Sequence, residues 1–157
     1  MRRVDIPGSC REYVRQRAHG LCEYCHTSEQ WQYVPFTMEH VVPVVRGGHS
    51  TPDNLALACF HCNRRKHDMV TAVDPESGAE VPLFHPREQL WRDHFIWSAD
   101  ARTVIALTPI GRATTAALTL NRARILDIRA ADHAAGRHPP PGDPVQAPEP
   151  ATDPPGR

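Results

Sequence analysis

Two pairs of cysteines are the residues of this chain whose type and spacing say most about its chemistry. Each pair has the form Cys-x2-Cys, and 33 residues separate the first pair from the second. Four thiolates are the ligand number and type that a closed, tetrahedral structural Zn²⁺ site requires. We therefore predict a structural zinc ion whose ligands are Cys22, Cys25, Cys59 and Cys62.

The two cysteine pairs bracket, or are directly followed by, a carboxylate, an imidazole and two carboxamides. These residues are Glu39, His40, Asn54 and Asn63. A neutral imidazole can accept a proton near neutral pH because its pKa lies close to that range. Hard divalent ions such as Mg²⁺ and Mn²⁺ prefer oxygen donors, which Glu39 and Asn63 offer. Two cysteine pairs that enclose such residues predict a hydrolytic site tied together by zinc.

The order and spacing of these residues resemble the HNH endonuclease family. The resemblance covers roughly residues 20–68, and it rests on Met38-Glu39-His40-Val41-Val42-Pro43, Arg46-Gly47-Gly48, Asp53-Asn54-Leu55 and Cys59-x-x-Cys62-Asn63-x-x-Lys66. Residues 83–130 are similar to the C-terminal extension of small bacterial HNH proteins, a likeness that carries no chemistry. The resemblance implies an α+β fold. Its core would be a small ββα-metal (His-Me finger) unit tied by the four-cysteine zinc site, with an N-terminal helix and a C-terminal helical extension.

The resemblance also implies a role for each polar residue of the set. His40 would be the general base, Glu39 and Asn63 would hold a catalytic divalent ion, and Asn54 would hydrogen-bond backbone across the loop that supports His40. Many family members have His where this chain has Asn63, so the chain is an H-N-N variant, and Asp is common where it has Glu39. An amide oxygen suits Mg²⁺ or Mn²⁺ better than a transition metal, so we expect one of those two ions.

A short basic run lies on the helix that follows the second cysteine pair. It consists of Arg64, Arg65 and Lys66, and Arg46 on the glycine loop is an expected outer contact. An isolated basic run is more often a solvated helix face, but the position beside a candidate phosphate site favours nucleic-acid binding. We expect weak, salt-sensitive binding that is largely independent of sequence.

The composition limits what the rest of the chain can be. Its 157 residues include 18 basic and 18 acidic side chains, so any nucleic-acid surface must be local. The sequence contains no long apolar run and no signal-like segment, which predicts a cytoplasmic protein without a membrane partner. Thiolate ligation fits a reducing compartment and leaves Cys10 as a spare thiol.

Local patterns divide the chain into four parts. Residues 1–19 form an N-terminal helix, 20–72 the ββα-metal domain and 73–136 an extension packed on the core, while 137–157 form a proline-rich tail. That tail is expected to be disordered, because it holds too little apolar surface to offset its ordering entropy. Within the second part, 33–42 and 55–58 predict two paired strands, and the helix runs from the second cysteine pair to about His67.

Two functions remain open from the sequence. The first is a metal-dependent HNH endonuclease that hydrolyses phosphodiester bonds, with DNA as the expected substrate and a homodimer as one route to cutting both strands. The alternative is a non-catalytic, zinc-stabilised module that binds nucleic acid. The intact set of Glu39, His40, Asn54 and Asn63 favours the enzyme, since a purely structural zinc domain does not need it.

Overall fold

The computed structural model describes residues 4–151, and it places five α-helices and three two-stranded antiparallel sheets in that range. This is the α+β class that the sequence predicts. The helices are α1 Gly8–Arg17, α2 Phe60–Lys66, α3 Trp91–His94, α4 Pro109–Ala117 and α5 Ala123–Ala134. The strands are β1 Thr37–His40, β2 Leu55–Ala58, β3 Thr71–Val73, β4 Glu80–Pro82, β5 Phe95–Trp97 and β6 Val104–Ala106. No helix within residues 4–151 has the length and apolar character needed to cross a bilayer.

The elements β1, β2 and α2 form a ββα unit at the centre of the fold. The strands pair antiparallel with Thr37 opposite Ala58 and His40 opposite Leu55. All four residues of β2 are buried, because its sequence of alternating leucine and alanine presents no polar side chain to either face. β1 is shorter than the sequence predicts and begins only after Pro35, which lacks the N–H group that a strand ladder uses.

Helix α1 packs against the β1–β2 hairpin and delivers the chain to the first cysteine pair. Val14 is fully buried on its inner face. Arg17, at its last turn, donates hydrogen bonds to the carbonyl of Pro52 at 2.8 Å and to that of Leu55 at 2.7 Å. Gly20 then takes a φ of +68°, a conformation that glycine adopts without strain, and so turns the chain away from the helix.

The C-terminal extension covers the first cysteine pair with aromatic side chains. Trp91, which opens α3, donates its indole N–H to the carbonyl of Tyr24 at 3.0 Å, and its ring stacks on His26 at 4.1 Å. Phe95 and Trp97 on β5 are fully buried beside it. Trp91 and Trp97 are therefore core residues, and neither offers a free face for stacking on a base.

A buried ion pair fixes α4 to the β3–β4 hairpin. Asp74 is fully buried and accepts hydrogen bonds from Nε and Nη2 of Arg112, both at 2.8 Å. The Arg112 guanidinium holds the pKa of the Asp74 carboxyl well below its usual range. α4 begins after Thr108, because the Thr108 hydroxyl accepts from the N–H of Gly111 at 3.0 Å and so caps the first turn.

The segment after α5 folds back over the core, where the sequence predicts disorder. The His138 ring packs edge-on against Trp97 at 4.4 Å, and Asp143 Oδ2 accepts from the Trp97 indole at 2.9 Å. The backbone of Trp97 also bonds to Pro144 and Gln146. Composition alone does not predict the ordered segment, because it has no apolar stripe. A few contacts to the buried Trp97 hold it instead. The last part of the predicted tail, residues 152–157, lies outside the described residues.

Asp143 therefore has a measurable structural role. We expect Asp143→Ala to lower the free energy of unfolding by about 1–3 kcal/mol, because the buried Trp97 donor loses its acceptor. Thermal and urea unfolding measure the effect, and Glu149→Ala, which removes an exposed acid from the same segment, is the matched control. Equal stability of the two variants would show that the segment is not bound to the core.

Candidate functional site

The four cysteines of the two predicted pairs meet in the core. All four are buried, and their sulfurs all lie within 4.8 Å of one another. The Cys25 and Cys59 sulfurs are 3.8 Å apart. Zn–S bonds of about 2.3 Å give a tetrahedral edge of about 3.8 Å, so these four thiolates can hold a zinc ion. Within residues 4–151, no other group of three or more His, Cys, Asp or Glu side chains is arranged to hold a metal.

Four thiolates exceed the charge of one Zn²⁺, so the zinc-bound cysteine cluster would carry a buried negative charge. Burial raises the pKa of the Cys22 thiol, so the thiolate form needs a nearby cation. Arg129 of α5 is 3% exposed, and burial lowers its pKa to about 10 against the opposing attraction of the cysteine thiolates. Its guanidinium donates to the carbonyls of Arg102 and Leu120 and to the Asn121 side chain. None of these partners is a carboxylate, and the guanidinium also lies over the Trp97 ring, 4.9 Å from its centroid.

His40 lies at the end of β1, half-buried, with its side chain directed to the loop that follows. Its Nε2 is 2.8 Å from the hydroxyl oxygen of Ser50. Burial lowers the pKa of His40, and the nearby Lys66 ammonium lowers it further. The imidazole is therefore neutral at neutral pH, which is the form that can accept a proton.

Asn54 joins the two ends of the loop between β1 and β2. Its Oδ1 accepts from the N–H of Val42, while its Nδ2 donates to the carbonyls of Val42 and His49, and all three distances are 2.9 Å. This is the loop-bridging geometry that the resemblance implies for the residue. The amide fits because one side chain supplies both a donor and an acceptor, whereas aspartate would supply acceptors only.

Gly48 is the residue that allows the loop to close so tightly. A Cβ atom there would lie 1.7 Å from the Val42 carbonyl oxygen and 2.8 Å from Asn54 Nδ2. Any side chain would therefore displace the backbone that Asn54 binds. The Gly-Gly sequence after Arg46 is thus explained by close backbone approach at its second glycine.

Glu39 and Lys66 form a buried ion pair, which corrects one expectation from the sequence. Lys66 Nζ lies 2.9 Å from Glu39 Oε1 and 3.1 Å from the carbonyl oxygen of His40, and the Lys66 side chain is 1% exposed. The prediction that Lys66 contacts nucleic acid is therefore wrong: its ammonium faces the interior. Burial raises the pKa of Glu39, while Lys66 acts in the opposite direction.

A second, catalytic metal ion would have few protein ligands at this site. Lys66 engages one Glu39 oxygen, which leaves the other for an ion, and the half-buried Asn63 lies one turn before Lys66 on the same face of α2. The Asn63 side chain makes no hydrogen bond to the described part of the chain. One carboxylate oxygen and one amide oxygen fit Mg²⁺, which keeps several waters and takes further ligands from substrate phosphates.

The predicted arginines are at the surface. Arg64 and Arg65 are exposed on α2, where Arg65 Nε donates to the carbonyl of Ala117 at 3.3 Å. Arg46 is exposed on the loop after β1, and its Nε donates to the Asp68 carbonyl at 2.8 Å, just beyond α2. This contact places Arg46 beside the end of α2, and all three guanidinium groups keep free N–H donors.

Two residues with a clear place in these sites have no signal in the sequence. Ser50 is one of several small polar residues in a turn-rich loop, and Arg129 is one of seventeen arginines. Only the fold brings Ser50 to His40 and Arg129 to the cysteine cluster. For Lys66 the sequence does hold a signal, because its helical spacing from Asn63 places both residues on one face of α2.

Comparison with known proteins agrees with this geometry. Residues 22–69 match the family model described as HNH endonuclease, and the match spans both cysteine pairs, both strands of the hairpin and α2. The chain therefore contains a domain of the HNH endonuclease family. A search of curated proteins found no match, and no solved structure matches the chain.

The cysteine cluster makes a direct prediction about metal content. We expect the purified protein to carry about one zinc ion per chain, and Cys25→Ala to lose both that zinc and cooperative thermal unfolding, because binding and folding are coupled at such sites. Cys10→Ala, which removes the thiol outside the cluster, is the matched control. Elemental analysis and calorimetry test both variants. Full zinc content in Cys25→Ala would refute the assigned ligand set.

Proposed function

We propose that this protein is a metal-dependent HNH endonuclease that hydrolyses phosphodiester bonds in nucleic acid, with DNA as its substrate and His40 as its general base. The observation that carries the proposal is the state of His40. Its imidazole is neutral and half-buried, and it contacts Ser50 on the loop that Asn54 closes. It lies within the residues that match the HNH endonuclease model. A purely structural zinc module has no use for a positioned base.

The proposed reaction begins with proton transfer to the His40 imidazole. A water molecule loses its proton to His40 as its oxygen attacks the phosphorus, and the bond from phosphorus to the 3′ oxygen breaks. The departing 3′ oxygen takes a proton from solvent, so the products are a 5′ phosphate and a 3′ hydroxyl. Asn54 contributes by holding the backbone on both sides of the base, so that little reorganisation is needed when the proton moves.

Glu39 and Asn63 are the proposed ligands of a catalytic Mg²⁺ or Mn²⁺. When bound, such an ion supplies charge stabilisation at the phosphoryl and departing oxygens. Lys66 already offsets part of the Glu39 charge at 2.9 Å, so the ion would be held weakly in the free protein. We therefore propose that the ion binds together with the substrate phosphate. The phosphate supplies negative charge to the ion in place of the Glu39 charge that Lys66 neutralises.

The proposed nucleic-acid surface consists of Arg46, Arg64 and Arg65. Their exposed guanidinium groups suit phosphate oxygens, which carry no base identity, so the expected binding is independent of sequence and falls as salt rises. The setting we propose is the cytoplasm, because a cluster of four cysteines that form no disulfide persists in a reducing compartment.

One observation supports the alternative function. The Glu39–Lys66 pair is charge-balanced without any divalent ion, as expected of a domain that keeps the fold and binds nucleic acid without turnover. The enzyme remains the better account because the alternative leaves the Ser50 and Asn54 support of His40 without purpose.

Cleavage of supercoiled plasmid by the zinc-loaded protein with Mg²⁺ or Mn²⁺ tests the proposal. We expect wild type to nick the plasmid, and His40→Ala to lower the rate by about 10²- to 10⁴-fold, which is the usual contribution of a general base. His133→Ala, at an exposed position of α5, is the matched control and keeps the wild-type rate.

Zinc content and thermal stability are measured for each of these variants. A His40→Ala protein that is folded, zinc-loaded and as active as wild type would exclude His40 as the base. The absence of cleavage by wild type on plasmid, single-stranded DNA and RNA, with retained binding, would establish the non-catalytic module.

The lowered pKa of His40 predicts the pH dependence of cleavage. A base is inactive when protonated, and protonation occurs below its pKa, so a lowered pKa keeps the site active in more acidic solution. We expect the cleavage rate to decline in acid with a midpoint below about 6.5, the ordinary histidine value. Zinc content is measured at each pH to separate this effect from metal loss. A midpoint above that value, with zinc retained, would contradict the environment described for His40.

A further inference from the structure

The loop after β1 presents a hydroxyl group to the candidate base. We propose that Ser50 is a positioning residue that accepts the Nε2–H of His40, fixes that tautomer and leaves Nδ1 as the nitrogen that takes the proton from water. This inference rests on the proposed nuclease function, although the contact itself can be tested without any activity.

The contact is short and well defined. Nε2 of His40 and Oγ of Ser50 are 2.8 Å apart, and both side chains are half-buried. Ser50 Oγ makes no other hydrogen bond to residues 4–151, so its lone pairs are free to accept. Nδ1 of His40 has no partner in the same range. The protein therefore occupies one ring nitrogen and leaves the other to solvent or substrate.

The chemistry of neutral imidazole decides the direction of this hydrogen bond. One ring nitrogen carries a proton and the other a lone pair, and only the lone pair can accept a proton from water. If Ser50 donated to Nε2, the proton would sit on Nδ1, and His40 would have no free lone pair. A working base thus requires Nε2–H to donate to Ser50, which is also the tautomer that imidazole side chains intrinsically prefer.

The position of Ser50 is set by the same residues that close the loop. Asn54 Nδ2 donates to the carbonyl of His49, the residue before Ser50, at 2.9 Å, and the backbone N–H of Gly48 donates to the Pro43 carbonyl at 3.0 Å. The serine side chain has a single heavy-atom torsion, so a fixed backbone limits its oxygen to three staggered positions, one of which contacts His40. Asn54 therefore acts on the base through Ser50 as well as through the end of β1.

Two contacts from opposite sides then hold His40. Lys66 Nζ donates to the His40 carbonyl at 3.1 Å from the side of α2, and Ser50 accepts from the ring on the loop side. Backbone and side chain are thus restrained separately, which limits rotation of the ring about its two side-chain torsions. Loss of the hydroxyl would release the ring and leave the backbone in place.

The tautomer is measured by ¹⁵N-detected ring correlations on histidine-labelled, zinc-loaded protein, at a pH well above the usual histidine pKa. The His40 signals are assigned by comparison with His40→Ala. We expect wild type and Ser50→Thr to show the Nε2–H form alone, and Ser50→Ala to show a mixture of the two forms. Thr51→Ala, which removes the neighbouring exposed hydroxyl, is the matched control and keeps the single form. A wild-type protein with the proton on Nδ1 would overturn the inference.

Plasmid nicking by the same proteins supplies the second readout. We expect Ser50→Ala to lower kcat by about 10- to 100-fold with little change in KM, since a displaced base slows chemistry without weakening phosphate contacts. Ser50→Thr should restore most of the rate, and Thr51→Ala should not change it. An unchanged kcat in Ser50→Ala, with wild type active, would refute the positioning role. Inactivity of wild type would instead refute the proposed nuclease, and the tautomer measurement would still decide the contact.

Discussion

The close approach of four buried cysteine sulfurs is the constraint on which the rest of the structure depends. The β1–β2 hairpin has only four residues in each strand, too few to be stable alone, and α2 has only seven. The cysteine cluster joins the turn that carries Cys22 and Cys25 to the junction of β2 and α2. One metal-binding centre therefore fixes the angle between β2 and α2. Arg129 joins α5 to the same core, because its buried guanidinium donates to the carbonyls of Arg102 and Leu120 and is attracted by the cysteine thiolates.

The geometry around His40 follows from that fixed angle. α2 places Lys66 under β1, where it binds both the Glu39 carboxylate and the His40 carbonyl. Glu39 and His40 are consecutive residues at the end of β1, and their side chains have different partners. Glu39 pairs with Lys66 and so joins the strand to α2, while His40 contacts Ser50 on the loop that Asn54 closes.

Much of this arrangement could be predicted from the sequence, for identifiable reasons. The cysteine spacing, the limits of β2 and the Thr108 cap each depend on local chemistry that a single segment contains. The burial of Lys66, the contact between Ser50 and His40 and the docking of Asp143 on Trp97 depend on segments that meet only after folding. Composition misleads most for Lys66, because the basic run hides the helical spacing that places this lysine on the inner face of α2.

Chemical rescue tests most directly whether the His40 imidazole performs the chemistry. In the zinc-loaded His40→Gly protein, the missing ring leaves space beside Ser50, and added imidazole can replace the lost base without altering the nucleic-acid surface. The account predicts that plasmid nicking by His40→Gly is nearly absent, and that it returns in proportion to the concentration of neutral imidazole. Wild-type nicking by His40→Gly without imidazole would contradict it.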